Sequence, residues 1–299
     1  MPLVAFPQMM EAAATGGYAV GYFESWNLES LLAVADAAEA ERSPVILGFS
    51  GIYLPHPRRV VSDPLAAYAA IGREVAARLT VPAVLLFNES PNRQWVVGAI
   101  ESGFNLVMFS DGELSEDEGR RTIRELAQAA HAKGAAIEGE VTPLPGVGGE
   151  AQDTNVDRGL TDPKGARRFV EETAIDALAV NVGQVHFHGR RIVRLDLDRL
   201  GSLATLPVPL VLHGASSVDP GDLQEAIKLA VRKINVGSRL KQAFLKAMRD
   251  AAHRSDSVNP YEAIGSGLGG DVMVAGRLAM QAEVQKLMRL FGSAGKARP

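Results

Sequence analysis

The sequence predicts an α/β fold, a parallel (β/α)8 TIM barrel with extra C-terminal helices. Three observations carry this. Eight short apolar runs, mostly unalternating and rich in Val, Ile and Leu, recur through the 299 residues, as in strands buried on both faces of a parallel sheet. Segments with helix-start signals separate them, so each strand is followed by a crossover. Eight such units close naturally into a barrel, and the rival open sheet lacks an early G-x-G-x-x-G after its first strand.

The runs, in order, are Ala19–Phe23, Pro44–Phe49, Pro82–Phe87, Asn105–Phe109, Ala135–Val141, Ala177–Val182, Pro207–His213 and Lys233–Val236. Asp63-Pro64, Asp162-Pro163, Asp219-Pro220 and Asn259-Pro260 each place a capping side chain before a proline suited to the first helical position. Ser115 and Glu118 have capping-box spacing ahead of a helix expected to end near Lys133-Gly134, and Gly103 closes the helix that begins near Pro91. After the eighth unit comes a glycine-rich hinge, Gly265 to Gly270, within a helical extension over 257–299. That extension is expected to cover a barrel end or to pack on a second subunit. No linker or low-complexity stretch divides the chain, so residues 1–299 are read as one domain.

Composition narrows the function. Apolar residues make up 46% and charged residues 22%, which excludes a disordered or fibrous chain. Lys+Arg 31 against Asp+Glu 35 gives −4, which lends no support to a nucleic-acid or anionic-membrane partner. With no cysteine, disulfides, thiolate metal sites and cysteine nucleophiles are excluded. The start lacks a basic leader region and no run of about 20 apolar residues occurs. The expectation is a cytoplasmic protein that takes a small molecule.

Active sites of such barrels lie at the C-terminal ends of the strands, and polar residues gather there. Glu24 and Asn27 follow the first run, Ser50 the second, Asn88 and Glu89 the third, and Ser110 and Asp111 the fourth. The fifth carries Glu138 and Glu140, the sixth leads to His186 and His188, and the seventh and eighth supply His213 and Asn235. Histidines and carboxylates on one rim suit a divalent ion with an open position. His213 is the best candidate, since a ring ending a buried apolar strand needs a partner; His186 and His188 compete for a second place. His56, His131 and His253 read as solvated surface residues. The loops His213-Gly-Ala-Ser-Ser217 and Asn235-Val-Gly-Ser238 offer backbone N–H groups and hydroxyls to an anion, at the usual phosphate position. Gly146 to Gly149 reads either as a loop that closes over a ligand or as plain surface.

The segments Thr161-Asp-Pro-Lys164, Phe169-Val-Glu-Glu-Thr173, Asp176-Ala-Leu-Ala-Val180 and Pro209-Leu-Val-Leu-His-Gly-Ala-Ser216 carry a likeness. Ala226-Ile-Lys-Leu229 and Lys233-Ile-Asn-Val236 extend it. With these the chain resembles the class II, metal-dependent fructose-bisphosphate and tagatose-bisphosphate aldolase family, strongly in its second half and loosely in its first. The resemblance implies a zinc or other divalent-metal lyase acting on a phosphorylated sugar, in a homo-oligomer. It makes His186 and His213 metal ligands and puts Glu140 near the metal. It gives Gly183, Gly214, Ser216, Asn235 and Ser238 to the substrate and its phosphate, with Asn27 and Ser50 near the same half.

The departures matter equally. The family usually ends its third strand in Asp-His, the Asp as acid/base and the His as a third ligand; here the pair is Asn88-Glu89. Glu89 still offers a metal an oxygen, but Asn88 cannot shuttle a proton near neutral pH. Glu24 stands where the family usually has Asn, and Glu150 falls in a strand-5 loop longer than the family's. Glu24 or Glu150, or else a water, is therefore expected to carry the proton in Asn88's place. The alternatives are a barrel enzyme for a different sugar phosphate or sugar acid, and a sugar-phosphate binder without catalysis.

Overall fold

A computed structural model describes residues 3–142, 144, 159–185, 192–253 and 259–297. Among them β1 (Val20–Phe23), β2 (Val45–Ser50), β3 (Ala83–Ser90), β4 (Leu106–Phe109), β5 (Ala136–Glu140), β6 (Ala177–Ala179), β7 (Leu210–Leu212) and β8 (Val231–Val236) close into a barrel in sequence order. All neighbouring pairs are parallel, with β8 returning to β1. The eight strands fall on the eight runs, though β6 and β7 are only three residues each.

The helices are α1 (Phe6–Gly16), α2 (Leu28–Glu41), α3 (Leu65–Arg78), α4 (Arg93–Ser102), α5 (Glu116–His131), α6 (Pro163–Thr173), α7 (Leu197–Leu203), α8 (Pro220–Leu229), α9 (Ser238–His253), α10 (Pro260–Ala263) and α11 (Val272–Leu290). Asp162, Asp219 and Asn259 cap α6, α8 and α10 through their side chains, and Ser115 with Glu118 forms the capping box of α5. Gly103 ends α4 in the left-handed conformation, as expected. The Asp63-Pro64 expectation fails: α3 begins at Leu65 without a side-chain cap. Asp63 is engaged by Arg59 and by the Tyr68 hydroxyl, and that ion pair competes with the capping geometry.

The barrel has two apolar layers. Outward strand residues such as Phe23, Leu47, Phe87 and Ile137 pack under the helices. Inward residues, Val20, Ile46, Val84, Leu106, Ala136, Ala177 and Val211, form a separate inner core that α1 closes with Phe6, Met9, Met10 and Ala13. Covering the barrel end therefore falls to α1, with the Val4 amide donating to the Ala83 carbonyl at 2.9 Å. The C-terminal α11 packs instead on α2 and α9 in the outer ring, where Arg277 pairs with Asp36 of α2. No helix among the described residues is long and apolar enough to cross a membrane.

Candidate active site

Side chains alternate faces along a strand, and register decides which polar residues point inward. Ser50 pairs with Asn88, Met108 with Glu138, Glu140 with Ala179, Val20 with Lys233 and Tyr22 with Asn235. Since Val20 and Tyr22 belong to the inner core, Lys233 and Asn235 share that inward face. Glu89, one residue after inward-facing Asn88, should point away. It does not, because its φ is 54° and the β3–β4 register slips between Phe87 and Ser90. A left-handed backbone at a non-glycine residue costs roughly 1–2 kcal/mol, and here it turns a second carboxylate toward the barrel mouth.

Six side chains from four strands form a closed ring there. Asn88 Nδ2 donates to Glu89 Oε2 at 2.7 Å. Glu89 Oε1 lies 3.0 Å from His213 Nδ1, and His213 Nε2 lies 2.7 Å from Glu138 Oε1. The other oxygen of Glu138 pairs with Lys233 Nζ at 2.7 Å, and that ammonium donates to Asn235 Oδ1 at 2.6 Å. Asn235 Nδ2, 2.9 Å from His213 Nε2, completes the circuit at 3.4 Å from Asn88 Oδ1. All six are buried, Glu138 and Lys233 completely.

Burial alone would push the His213 imidazole pKa down. The carboxylates of Glu89 and Glu138 override it and hold the value up at about 10. Burial would likewise raise Glu138, but Lys233 and His213 keep it below the usual carboxylate range. For Lys233 burial wins, and its pKa is lowered despite Glu138 and Glu89. Tyr22, under the Lys233 ammonium at 5.4 Å, is pushed up by burial and by the negative charges of Glu24, Glu89 and Glu138.

The donor chemistry fits a divalent cation. Nε2 faces a carboxylate, which is the arrangement that fixes a metal-binding imidazole with its other nitrogen free to coordinate. That nitrogen, Nδ1, lies 3.0 Å from Glu89 Oε1, which sets a nitrogen and an oxygen donor side by side. Among the described residues no three His, Asp or Glu side chains already form a complete holding group. The described part of the expected set is His213 with Glu89; His186, and its competitor His188, lie outside the described residues, as does Glu150. Glu140 is buried near the rim and accepts from the Ser110 hydroxyl.

An ion held by His213 would have to displace its proton, so affinity there is expected to rise with pH, about tenfold per unit, until the pH passes about 10. Calorimetry in two buffers of different ionisation enthalpy should register about one proton released per ion at neutral pH. In the ion-free chain His213, raised above its unfolded value of about 6.5, contributes stability fully present below that pH and lost toward pH 10. Glu138, lowered, contributes stability present above about pH 4.5 and lost as acid protonates it.

The residues expected to take the anion occupy the following places. Gly214 has φ 65°, and a Cβ there would lie 2.6 Å from the Val185 carbonyl oxygen, so only glycine lets the β6 loop pass. Ser216 follows in a half-buried 3-10 turn, Ala215–Ser217. Ser238 opens α9 right after β8. Gly183, at φ 108°, donates its N–H to Asn181 Oδ1 at 3.0 Å, and Ser50 Oγ accepts from the Ile52 amide at 3.3 Å. Asn27 Oδ1 caps α2 by accepting from the Ser30 amide at 2.9 Å, and the Ser30 hydroxyl caps back. Sequence reasoning missed Lys233 and the partnership of Glu138 with His213. The available signal was parity, since Glu138 shares a face with Glu140 and Lys233 with Asn235.

The chain is matched over residues 4–296 by the family model described as fructose-bisphosphate aldolase class-II. It is 34% identical to a fructose-bisphosphate aldolase of Geobacillus stearothermophilus, over 99% of each chain. It is 30% identical to a sulfofructosephosphate aldolase of Alkalicoccus urumqiensis, covering 100% of this chain and 99% of the relative. A solved aldolase from Escherichia coli K12 superposes with a TM-score of 0.80 at 26% identity, over 99% of this chain and 100% of that one. On this agreement of sequence and fold, the chain belongs to the class II fructose-bisphosphate aldolase family, whose members are lyases that generally depend on a divalent metal.

Proposed function

We propose that this enzyme cleaves and forms a carbon–carbon bond in a phosphorylated ketose, through the enediolate of a dihydroxyacetone-phosphate-like fragment. The observation carrying this is the ring that locks His213 between Glu89 and Glu138. Zn2+ would be held by imidazole and carboxylate donors from His213, Glu89 and His186, with Glu140 a further candidate. When bound it supplies Lewis acidity toward the ketone carbonyl.

The chain's own residues do the rest. Glu138, fixed by Lys233, holds the His213 ring in one orientation. The buried amides of Asn88 and Asn235 present hydrogen-bonding groups at the mouth, while Gly183, Gly214, Ser216 and Ser238 bind the ketone fragment and its phosphate. Binding remote from the reacting bond supplies orientation. In cleavage the electron pair of the broken bond passes to the ketone fragment. The proton of the hydroxyl on the departing carbon passes to a carboxylate. Asn88 cannot take it, so Glu24 or Glu150 does. Reaction in the cytoplasm as a homo-oligomer is part of this reading, the oligomer supported by exposed Tyr261, Ile264, Leu268 and Leu278 in the C-terminal segment.

The test is incubation of the zinc-loaded enzyme with dihydroxyacetone phosphate in deuterated water. Exchange of the C3 proton that chelator abolishes is the expected result. Exchange without cleavage of fructose or tagatose bisphosphate points to another sugar phosphate, whereas binding with no exchange marks a non-catalytic binder and overturns the reading.

A further inference from the structure

Beside the ring, on the same rim, lies a charged cluster that the mechanism above does not use as a unit. Glu24 Oε1, at the end of β1, is 2.6 Å from Lys241 Nζ on the first turn of α9. The ammonium sits 4.9 Å from the Tyr53 ring centroid and 5.8 Å from that of Trp26, so the loops after β1 and β2 hold it. The other carboxylate oxygen, Oε2, presses over Gly237, where a Cβ would clash with it. Gly237 belongs to the loop between Asn235 and Ser238, the stretch assigned above to the phosphate. A carboxylate of the chain therefore lies along the edge of the cradle, paired with a lysine three residues beyond Ser238.

A phosphate dianion and that carboxylate repel one another over the same few ångströms. The pair itself is cheap to open. Both side chains retain solvent contact, 39% for Lys241 and 16% for Glu24, and such partly exposed pairs contribute little net stability. An ammonium on phosphate forms a stronger, charge-assisted bond.

We propose that Lys241 receives the substrate's phosphate, and that Glu24 is its resident counter-ion, displaced when the phosphate arrives. This rests on the reading that the β7 and β8 loops hold a phosphate, and it deepens that reading by naming a cation and a competitor. It also frees the Glu24 carboxylate only once substrate is seated, which suits a group expected to carry a proton.

The probe is glycerol 3-phosphate, which offers a phosphate and no ketone, titrated calorimetrically into zinc-loaded wild type, Lys241→Met, Lys241→Arg and Glu24→Gln. Lys241→Met is expected to weaken binding about tenfold or more, equal to about 1.4 kcal/mol. Lys241→Arg is expected to keep most of the affinity, while Glu24→Gln tightens it several-fold because the competitor has lost its charge. Unchanged binding in Lys241→Met, or weaker binding in Glu24→Gln, overturns the inference alone. Absence of binding to the wild type overturns the phosphate-site reading and the inference together. Matching thermal melts of the four proteins exclude misfolding as the cause.

Discussion

Asn88→Asp and Glu89→His are each expected to lower the rate of C3 proton exchange by about 10–100-fold, the usual cost of disturbing a ligand's support. The double variant is expected to exceed the product of the two single effects by at least about tenfold. The reason is charge accounting within the pair. Where the family usually has an anionic Asp followed by a neutral His, this chain has a neutral Asn followed by an anionic Glu. Both versions place one negative charge across the two positions. Asn88 Nδ2 donates to Glu89 Oε2 at 2.7 Å, and that bond aims the other oxygen at His213.

With Asp at 88, two carboxylates would face each other at that distance, both buried. One would stay protonated, since like charges that close cannot both ionise. With His at 89 alone, His213 would lose the carboxylate at its Nδ1 and keep only Glu138 at its Nε2, while Asn88 remained unable to carry a proton. Changing both restores the single charge and adds an ionisable group. The backbone allows it, because His, like Asn and Asp, is enriched among side chains at positive φ, and residue 89 sits at φ 54°. Exchange rates for the four proteins of the cycle decide the matter. Simple additivity would mean that Asn88 and Glu89 act independently, and the account of a co-adapted pair would fall.

Most of the barrel was legible because its strands are buried on both faces and read as continuous apolar runs. Pro44–Phe49 becoming β2 and Pro82–Phe87 becoming the core of β3 needed only that signal. The helix starts were legible wherever the cap was local, as at Asp162 and Asp219. Asp63 failed because Arg59, four residues before it, competes for its side chain, and no propensity encodes that. The position of His213 was readable from the cost of burying a ring at a strand end. Its partners were not, because Glu89 reaches it through a backbone reversal and Glu138 across the barrel. Asn27 carries a second signal: Asn followed three residues later by Ser is a capping pattern, and its side chain caps α2. The α1 plug escaped notice because a short amphipathic segment near the start gives no sign of which surface it closes.

Lys233→Met should cost about 3–5 kcal/mol of stability, because it leaves Glu138 as a fully buried carboxylate without its ammonium. In a domain of this size that corresponds to a fall in Tm on the order of 10 °C. Glu138→Leu leaves Lys233 similarly stranded and should cost a comparable amount. The double variant Lys233→Met/Glu138→Leu removes both charges from the apolar interior among Val20, Leu106 and Val211. It is therefore expected to recover most of the lost stability, since apolar replacements of buried pairs are often neutral or better. Zinc affinity should behave differently. With Glu138 gone, His213 Nε2 loses the acceptor that fixes its ring, and affinity is expected to stay about 10–100-fold below wild type in Glu138→Leu and in the double variant alike. Denaturant midpoints and zinc titrations on the same four proteins separate the two quantities. If the double variant binds zinc as the wild type does, the buried pair serves the fold and not the ion. If Lys233→Met loses less than about 1 kcal/mol, the ion pair is not the strut that the barrel interior requires of it.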